Sequence, residues 1–277
     1  MNTAGLIPLR DIFTPRILIE EKDFLIAYKP PGTHSAPLAR STTADSFLNW
    51  CALRFPEVAD LPGRKAGEGG LLHRLDYETQ GLMLIARTKA GMESLLEQQK
   101  EYKIIKEYSA LTMESETQLP GFPARELEAP RESGIPRESK IPREYETPHE
   151  ITSSFRPYGP GRKSVRPVII GGGEAEKQSE RYSTRILETL PHASGITSFR
   201  LMIFRGFRHQ IRSHLAWLRR PILNDALYGG APFGGGLLAL RACSLLFTDP
   251  SSGKELFFAI PPLQPDLLDL FKNPVGS

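Results

Sequence analysis

Apolar residues cluster first at Ile17 to Ile19 and again at Phe24 to Tyr28, split by the charged Glu20-Glu21-Lys22-Asp23. The pattern predicts two strands joined by a turn, with the second ending against a rigid Lys29-Pro30-Pro31-Gly32 loop. Further on, Leu48, Cys51, Ala52 and Phe55 fall at helical spacing before Pro56, which predicts a short helix capped by Thr42 with Asp45. The apolar run Leu82 to Ala86 follows Gly81 and reads as a buried strand. Thr88 then opens a helix with Met92, Leu95, Leu96 and Gln99 on one stripe, and Lys103 to Leu111 returns as a strand. After Tyr182 the spacing predicts a strand over 197–204, a helix from about His209 to Leu218, and strands near 237–241 and 256–260. Both halves are expected to share one sheet.

Between Met113 and about Arg181 the pattern fails. Prolines recur and large apolar residues thin out, and Pro130-Arg-Glu-Ser, Pro136-Arg-Glu-Ser and Pro142-Arg-Glu-Tyr repeat every six residues. Such a stretch is too polar to stack as a solenoid, so a Pro-rich insertion at 113–181 without a core of its own is expected.

Composition narrows the class. The chain has 277 residues, 40% hydrophobic and 24% charged, with a formal net charge of +3, so neither global disorder nor a supercharged tail is indicated. No apolar run approaches the roughly 18 residues a membrane span needs, and no signal peptide is readable at the N-terminus, so a cytoplasmic protein without a membrane partner is expected. Cys51 and Cys243 lie far apart with no C-x-x-C pattern, which predicts buried fillers rather than a disulfide or zinc site.

Local charge changes the picture more. Six arginines fall between Arg200 and Arg220 with no carboxylate among them, giving a positive field suited to phosphate. On the predicted helix Arg208 and Arg212 share a face beside the apolar stripe Ile211, Leu215 and Leu218, so the helix is expected to pack while pointing its arginines outward. Taken singly, these arginines read as a solvated surface and Asp76 as a loop salt-bridge partner.

Together they carry a resemblance. His73-Arg74-Leu75-Asp76-x-x-Thr79-x-Gly81 resembles one motif of the RluA-type RNA pseudouridine synthases. His209-Gln210-Ile211-Arg212-x-His214-Leu215, followed by Arg220-Pro221-Ile222-x-x-Asp225-x-x-Tyr228-Gly229, resembles another. Lys29-Pro30-x-Gly32, Lys106-x-Tyr108-x-Ala110-Leu111 and Leu240-Arg241-Ala242 extend it, so that residues 17–111 and 182–262 are covered.

The resemblance implies an α+β pseudouridine synthase fold, a mixed, largely antiparallel sheet flanked by helices, and isomerisation of uridine in ribosomal or transfer RNA without metal or other cofactor. Asp76 matches the essential aspartate, Arg212 the arginine that pairs with it through a two-pronged contact, and Tyr108 an active-site tyrosine stacking on uracil. Arg74 matches the residue that fills the space of a flipped base, and Arg208 and Leu240 are expected to contact substrate. Residues 1–16 are then an N-terminal extension, 17–262 the catalytic domain and 263–277 a tail, with no S4 domain and a monomeric state expected. The chain departs from the pattern at Gln80, where serine is usual, and at Phe207-Arg208, where an arginine precedes by one. His73, His209 and His214 read as hydrogen-bonded packing residues. Two rivals are an RNA-binding protein or chaperone that performs no chemistry, and a glycosidase pairing Asp76 with Glu78, which lacks an aromatic sugar platform.

Overall fold

In the computed structural model, residues 3–7, 11–38, 46–124, 150–169 and 180–265 are described. Within them strands β1 (Thr3–Leu6), β2 (Arg16–Glu20), β3 (Phe24–Lys29), β4 (Gln80–Ala86), β5 (Ile105–Met113), β6 (Glu150–Tyr158), β7 (Ser164–Val168), β8 (Tyr182–Pro191), β9 (Ile196–Ile203), β10 (Leu240–Thr248) and β11 (Glu255–Ala259) belong to one sheet. The helices are α1 (Phe47–Ala52), α2 (Glu57–Asp60), α3 (Lys89–Lys100) and α4 (Gln210–Trp217). The order β2-β3-β4-β10-β5-β9-β8-β6-β7 is antiparallel except where β4 meets β10, and β1 runs parallel to β11 beyond it. The expected mixed, largely antiparallel sheet is therefore present.

The centre forms because β3 and β4 are apolar on both faces. Leu25, Ala27, Met83 and Ile85 join Tyr108, Leu201, the α1 residues Phe47, Leu48 and Cys51, and the α4 residues Ile211 and Leu215 on one side. Phe24, Ile26, Leu82 and Leu84 join Met92 and Leu95 of α3 with Phe247 and Phe258 on the other. Helix α3 starts as its sequence predicts, the Thr88 side chain accepting a hydrogen bond from the Gly91 amide at 3.0 Å. Helix α1 starts later than expected, capped by Ser46; Thr42 and Asp45 lie outside the described residues.

Three expected boundaries need correction. The supposed insertion contains β6 and β7, and its Phe122, Ile151 and Val165 are buried, so the stretch does contribute core. Its polar residues hid this: buried Ser153, Ser154 and Ser164 satisfy their hydroxyls on His214 and on the carbonyls of Glu180 and Tyr158. The six-residue repeat lies outside the described residues. The N-terminal extension is joined to the sheet, since β1 adds to β11 and the Ile7 amide bonds Ala259 O at 2.8 Å. Leu263, assigned to the tail, is buried and its amide bonds Ser109 Oγ. The strand expected near 237–241 begins at Leu240 and runs to Thr248. No helix among the described residues is long and apolar enough to cross a membrane.

One close approach positions the functional loop. Gly81 sits opposite Ala242 where β4 and β10 run parallel, at φ +132°, and a Cβ there would lie 2.2 Å from the Ala242 carbonyl oxygen. Only glycine fits without parting the two strands. Gly81→Ala is expected to destabilise the protein by about 2–4 kcal/mol, read as a fall in thermal midpoint. A midpoint matching the parent would mean the strands separate freely there.

Candidate active site

The loop entering β4 is braced from below by the loop leaving β3. Ser35 Oγ accepts from the Leu75 amide at 3.0 Å and donates to Leu75 O at 2.7 Å, and the Gly32 amide bonds Tyr77 O at 2.9 Å. The wholly buried Lys29 ammonium donates to the carbonyls of Pro30, Thr33 and Tyr77 at 2.9, 2.7 and 3.4 Å. Burial brings the Lys29 pKa down to about 7, opposed by the attraction of Asp76 and Glu78. Between its tethered neighbours, Asp76 presents a carboxylate about one-quarter exposed.

Opposite stands Arg212 on α4. The expectation that it points outward is overturned: its side chain is 2% exposed. Its guanidinium fork also differs from expectation, for the two-pronged contact goes to Asp225 rather than Asp76. Nε and Nη2 donate to the two Asp225 oxygens at 2.7 and 2.8 Å. The remaining Nη1 reaches Asp76 and Glu78, each at 3.4 Å. Burial works against this cation, but the hydrogen bond and charge of Asp225, helped by Asp76 and Glu78, outweigh it and push its pKa up. The reason for the inward turn is this partner: a buried guanidinium is tolerable only when its donors are met. The Tyr228 ring lies 5.5 Å from the same guanidinium.

His209 caps the start of α4 in a left-handed conformation, φ 55°, an arrangement that costs a non-glycine residue energy. Its Nδ1 meets Tyr228 Oη at 3.2 Å and its Nε2 lies 3.8 Å from Asp76. Burial lowers its pKa more than Asp76 raises it, leaving a neutral imidazole at pH 7. His214 is fully buried between Ser153 and Thr184, and the half-buried His73 accepts from the Leu84 amide at 3.2 Å through Nε2.

The other expected residues divide. Tyr108 is buried in the same apolar cluster as Leu75 and Leu240, and its hydroxyl pKa is raised by burial and then by Asp76. The phenol is therefore neutral at pH 7. Leu240 is 3% exposed, paired with Ala110. Arg74 is exposed and meets Glu68 at 3.2 Å, away from the Arg212 cluster. Arg208 is exposed too, donating to the carbonyls of Arg162 and Ser164 at 2.8 and 3.2 Å. The departure at Gln80 is architectural: its Oε1 accepts from Tyr28 and from Arg241, tying β3 and β10 to β4. Asp225 and Tyr228, which the sequence offers only as members of a motif, hold Arg212. Asp225 had a signal, being the single carboxylate between Glu188 and Asp249.

The arrangement offers a half-open carboxylate, a buried cation fixed against it, and a neutral phenol in the floor. Among the described residues no three His, Cys, Asp or Glu side chains gather as a metal site. The family described as RNA pseudouridylate synthase matches residues 23–217. The ribosomal large subunit pseudouridine synthase D of Vibrio vulnificus is 28% identical over 269 residues, 92% of this chain and 69% of that protein. An uncharacterized RNA pseudouridine synthase of Helicobacter pylori is 28% identical over 93% of this chain and 69% of its own length. In fold, human RNA pseudouridylate synthase domain containing 1 superposes with TM-score 0.56 at 20% identity, over 93% of this chain and 87% of that one. Because that match takes in well over half of its residues, the chain belongs to the RNA pseudouridylate synthase family, RluA type, and is an isomerase.

Proposed function

We propose that the protein converts uridine in structured RNA to pseudouridine with Asp76 as the catalytic carboxylate, and that ribosomal RNA is its substrate. The observation that carries the reading is Asp76 held on a braced loop against Arg212, whose far edge is locked by Asp225. The large-subunit relatives favour ribosomal over transfer RNA.

The reaction breaks N1–C1′ and forms C5–C1′, with N1 gaining a proton and C5 losing one, so no atom is gained or lost. The Asp76 carboxylate supplies the group that acts on the sugar or base. Arg212 holds it with the one edge that Asp225 leaves over, an edge shared with Glu78. Tyr108, neutral in its buried seat, offers a ring for the uracil to stack on; its hydroxyl takes the C5 proton only while passing on its own. The target must leave its stack to reach this depth, and exposed Arg74, two residues before Asp76, is suited to fill the gap.

Asp76→Asn is expected to lower single-turnover pseudouridine formation by at least about 100-fold while RNA affinity changes little. The check is tritium release from C5-labelled uridine beside a filter-binding titration. Retained turnover would remove Asp76 from the chemistry, and a parent that binds the RNA but releases no tritium would favour a protein that only holds RNA.

Arg212→Lys keeps the charge but cannot serve both Asp225 oxygens and Asp76 together. Breaking that buried pair is expected to cost about 3–5 kcal/mol of stability and most of the activity at a temperature where the variant is folded. Parental unfolding and rate would show that the fork is dispensable.

Lys29 gives a pH signature. Its folded pKa is below its unfolded value of 10.5, so the unfolded chain holds more protons and stability gains with pH between about 7 and 10.5. Relative to Lys29→Met, the parent is expected to gain stability across that window and to track the variant below it. Parallel curves throughout in denaturant titrations would contradict the buried charge.

A further inference from the structure

Four of the six arginines of 200–220 are committed to carboxylates, so the free positive surface is smaller than their sequence suggests. Arg200 meets Glu188 at 3.5 Å, Arg220 meets Glu114 at 3.1 Å, and Arg205 pairs with Glu180. Arg212 is committed to the buried carboxylates. Besides Arg208 and Arg219, which have no carboxylate partner among the described residues, a different element carries uncompensated charge. Residues 151–168, the body of β6 and β7 with their connecting turn, contain Arg156, Arg162, Lys163 and Arg166 and no Asp or Glu. None of these four has a carboxylate partner among the described residues.

Its geometry points outward. The first half of β6 pairs with β8 through Glu150 to Ser153, whereas its second half pairs only with β7, so the hairpin continues past the body of the sheet. Within it Arg156 stands directly opposite Arg166. Opposite residues of an antiparallel pair share a face, and two like charges there oppose folding. The element is nonetheless rigidly seated. The Val165 amide donates to Tyr228 Oη at 2.8 Å, Tyr228 Oη donates to Val165 O at 3.1 Å, and Phe155 stacks on Phe207 at 5.1 Å. Arg208 donates to the Arg162 and Ser164 carbonyls at its turn, bringing a fifth cation to it.

We infer that the β6–β7 hairpin is the surface that grips the phosphate backbone of the RNA, with Arg156 and Arg166 straddling a phosphate and Arg162 and Lys163 meeting others from the turn. A phosphate between the two guanidiniums resolves the repulsion that the folded chain alone leaves standing. The same Tyr228 that bonds the Val165 backbone of the hairpin lies against Arg212, so one side chain seats both the hairpin and the buried cation. The assignment rests on the proposed RNA chemistry and deepens it.

The test uses the full chain, a fluorescein-labelled synthetic RNA stem–loop with uridines in its loop, and anisotropy across a KCl series. The triple variant Arg156→Gln, Arg162→Gln, Lys163→Gln leaves Arg166, whose head also bonds Gly121 O, in place. At about 0.7 in log–log slope per phosphate contact on single strands, losing three contacts is expected to flatten the salt dependence by roughly 2 and weaken binding at least about tenfold. Thermal unfolding of the variant should match or exceed the parent, because a like-charge pair is relieved. The matched triple Arg185→Gln, Arg200→Gln, Arg220→Gln removes as many charges, all carboxylate-paired, and is expected to keep the parental slope. A parental slope in the hairpin variant, or an equal loss in the matched one, overturns the assignment. Pseudouridine formation by the parent is scored separately, so a chain that binds through the hairpin but makes no pseudouridine refutes the proposed chemistry and leaves this surface standing.

Discussion

A buried guanidinium is the constraint around which the rest of the site is arranged. Arg212 gives up nearly all contact with water, a cost of several kcal/mol unless its donors are met. Asp225, itself 1% exposed, meets two of them, and that pairing decides what is left over: one edge of the fork, aimed at the loop before β4. The direction of that edge does not depend on Asp76. A carboxylate arriving there finds a cation already oriented, which is how a fixed charge lowers a barrier without reorganising when the reaction occurs.

Orientation has value only if the opposing loop is equally fixed, and the lysine beneath it serves this end. Lys29 spends its ammonium on three main-chain carbonyls instead of on an acid, so it ties the end of β3 to the Tyr77 peptide while leaving Asp76 unpaired on that side. A lysine placed as a salt-bridge partner would have competed with Arg212 for the same oxygens. The nearness of Glu78 to the shared Nη1 shows how finely that edge is divided.

What could be read in the chain follows from where each contact's partner lies. β3, β4 and α3 were readable because their cues are local: doubly buried apolar runs, and Thr88 as cap. β6 and β7 were not, because their buried positions hold serines whose partners, His214 and the Glu180 carbonyl, are distant in sequence. Among the site residues, Asp76 and Arg212 stood out through long motifs, but the direction of Arg212 did not. Helical periodicity places Arg212 beside Arg208 and is blind to a carboxylate 13 residues on. The lone acid in a long basic stretch was the clue to it, since a buried cation must find its anion somewhere.

The same reasoning explains why counting charges misjudged the basic surface. An arginine contributes to a long-range field only in so far as no carboxylate already neutralises it, and a cross-strand or loop partner can be far away in sequence. Arg200 is silenced from β8 and Arg220 from the end of β5, both invisible in the run of residues that contains them. The hairpin shows the reverse. Its cations are fewer, yet each is exposed or half-buried without an acid beside it. Its like-charged pair is held by the buried Val165 and the half-buried Phe155, which seat the strands against the repulsion. Packing that stabilises such a pair keeps unpaired charge facing solvent, where an anion can still reach it.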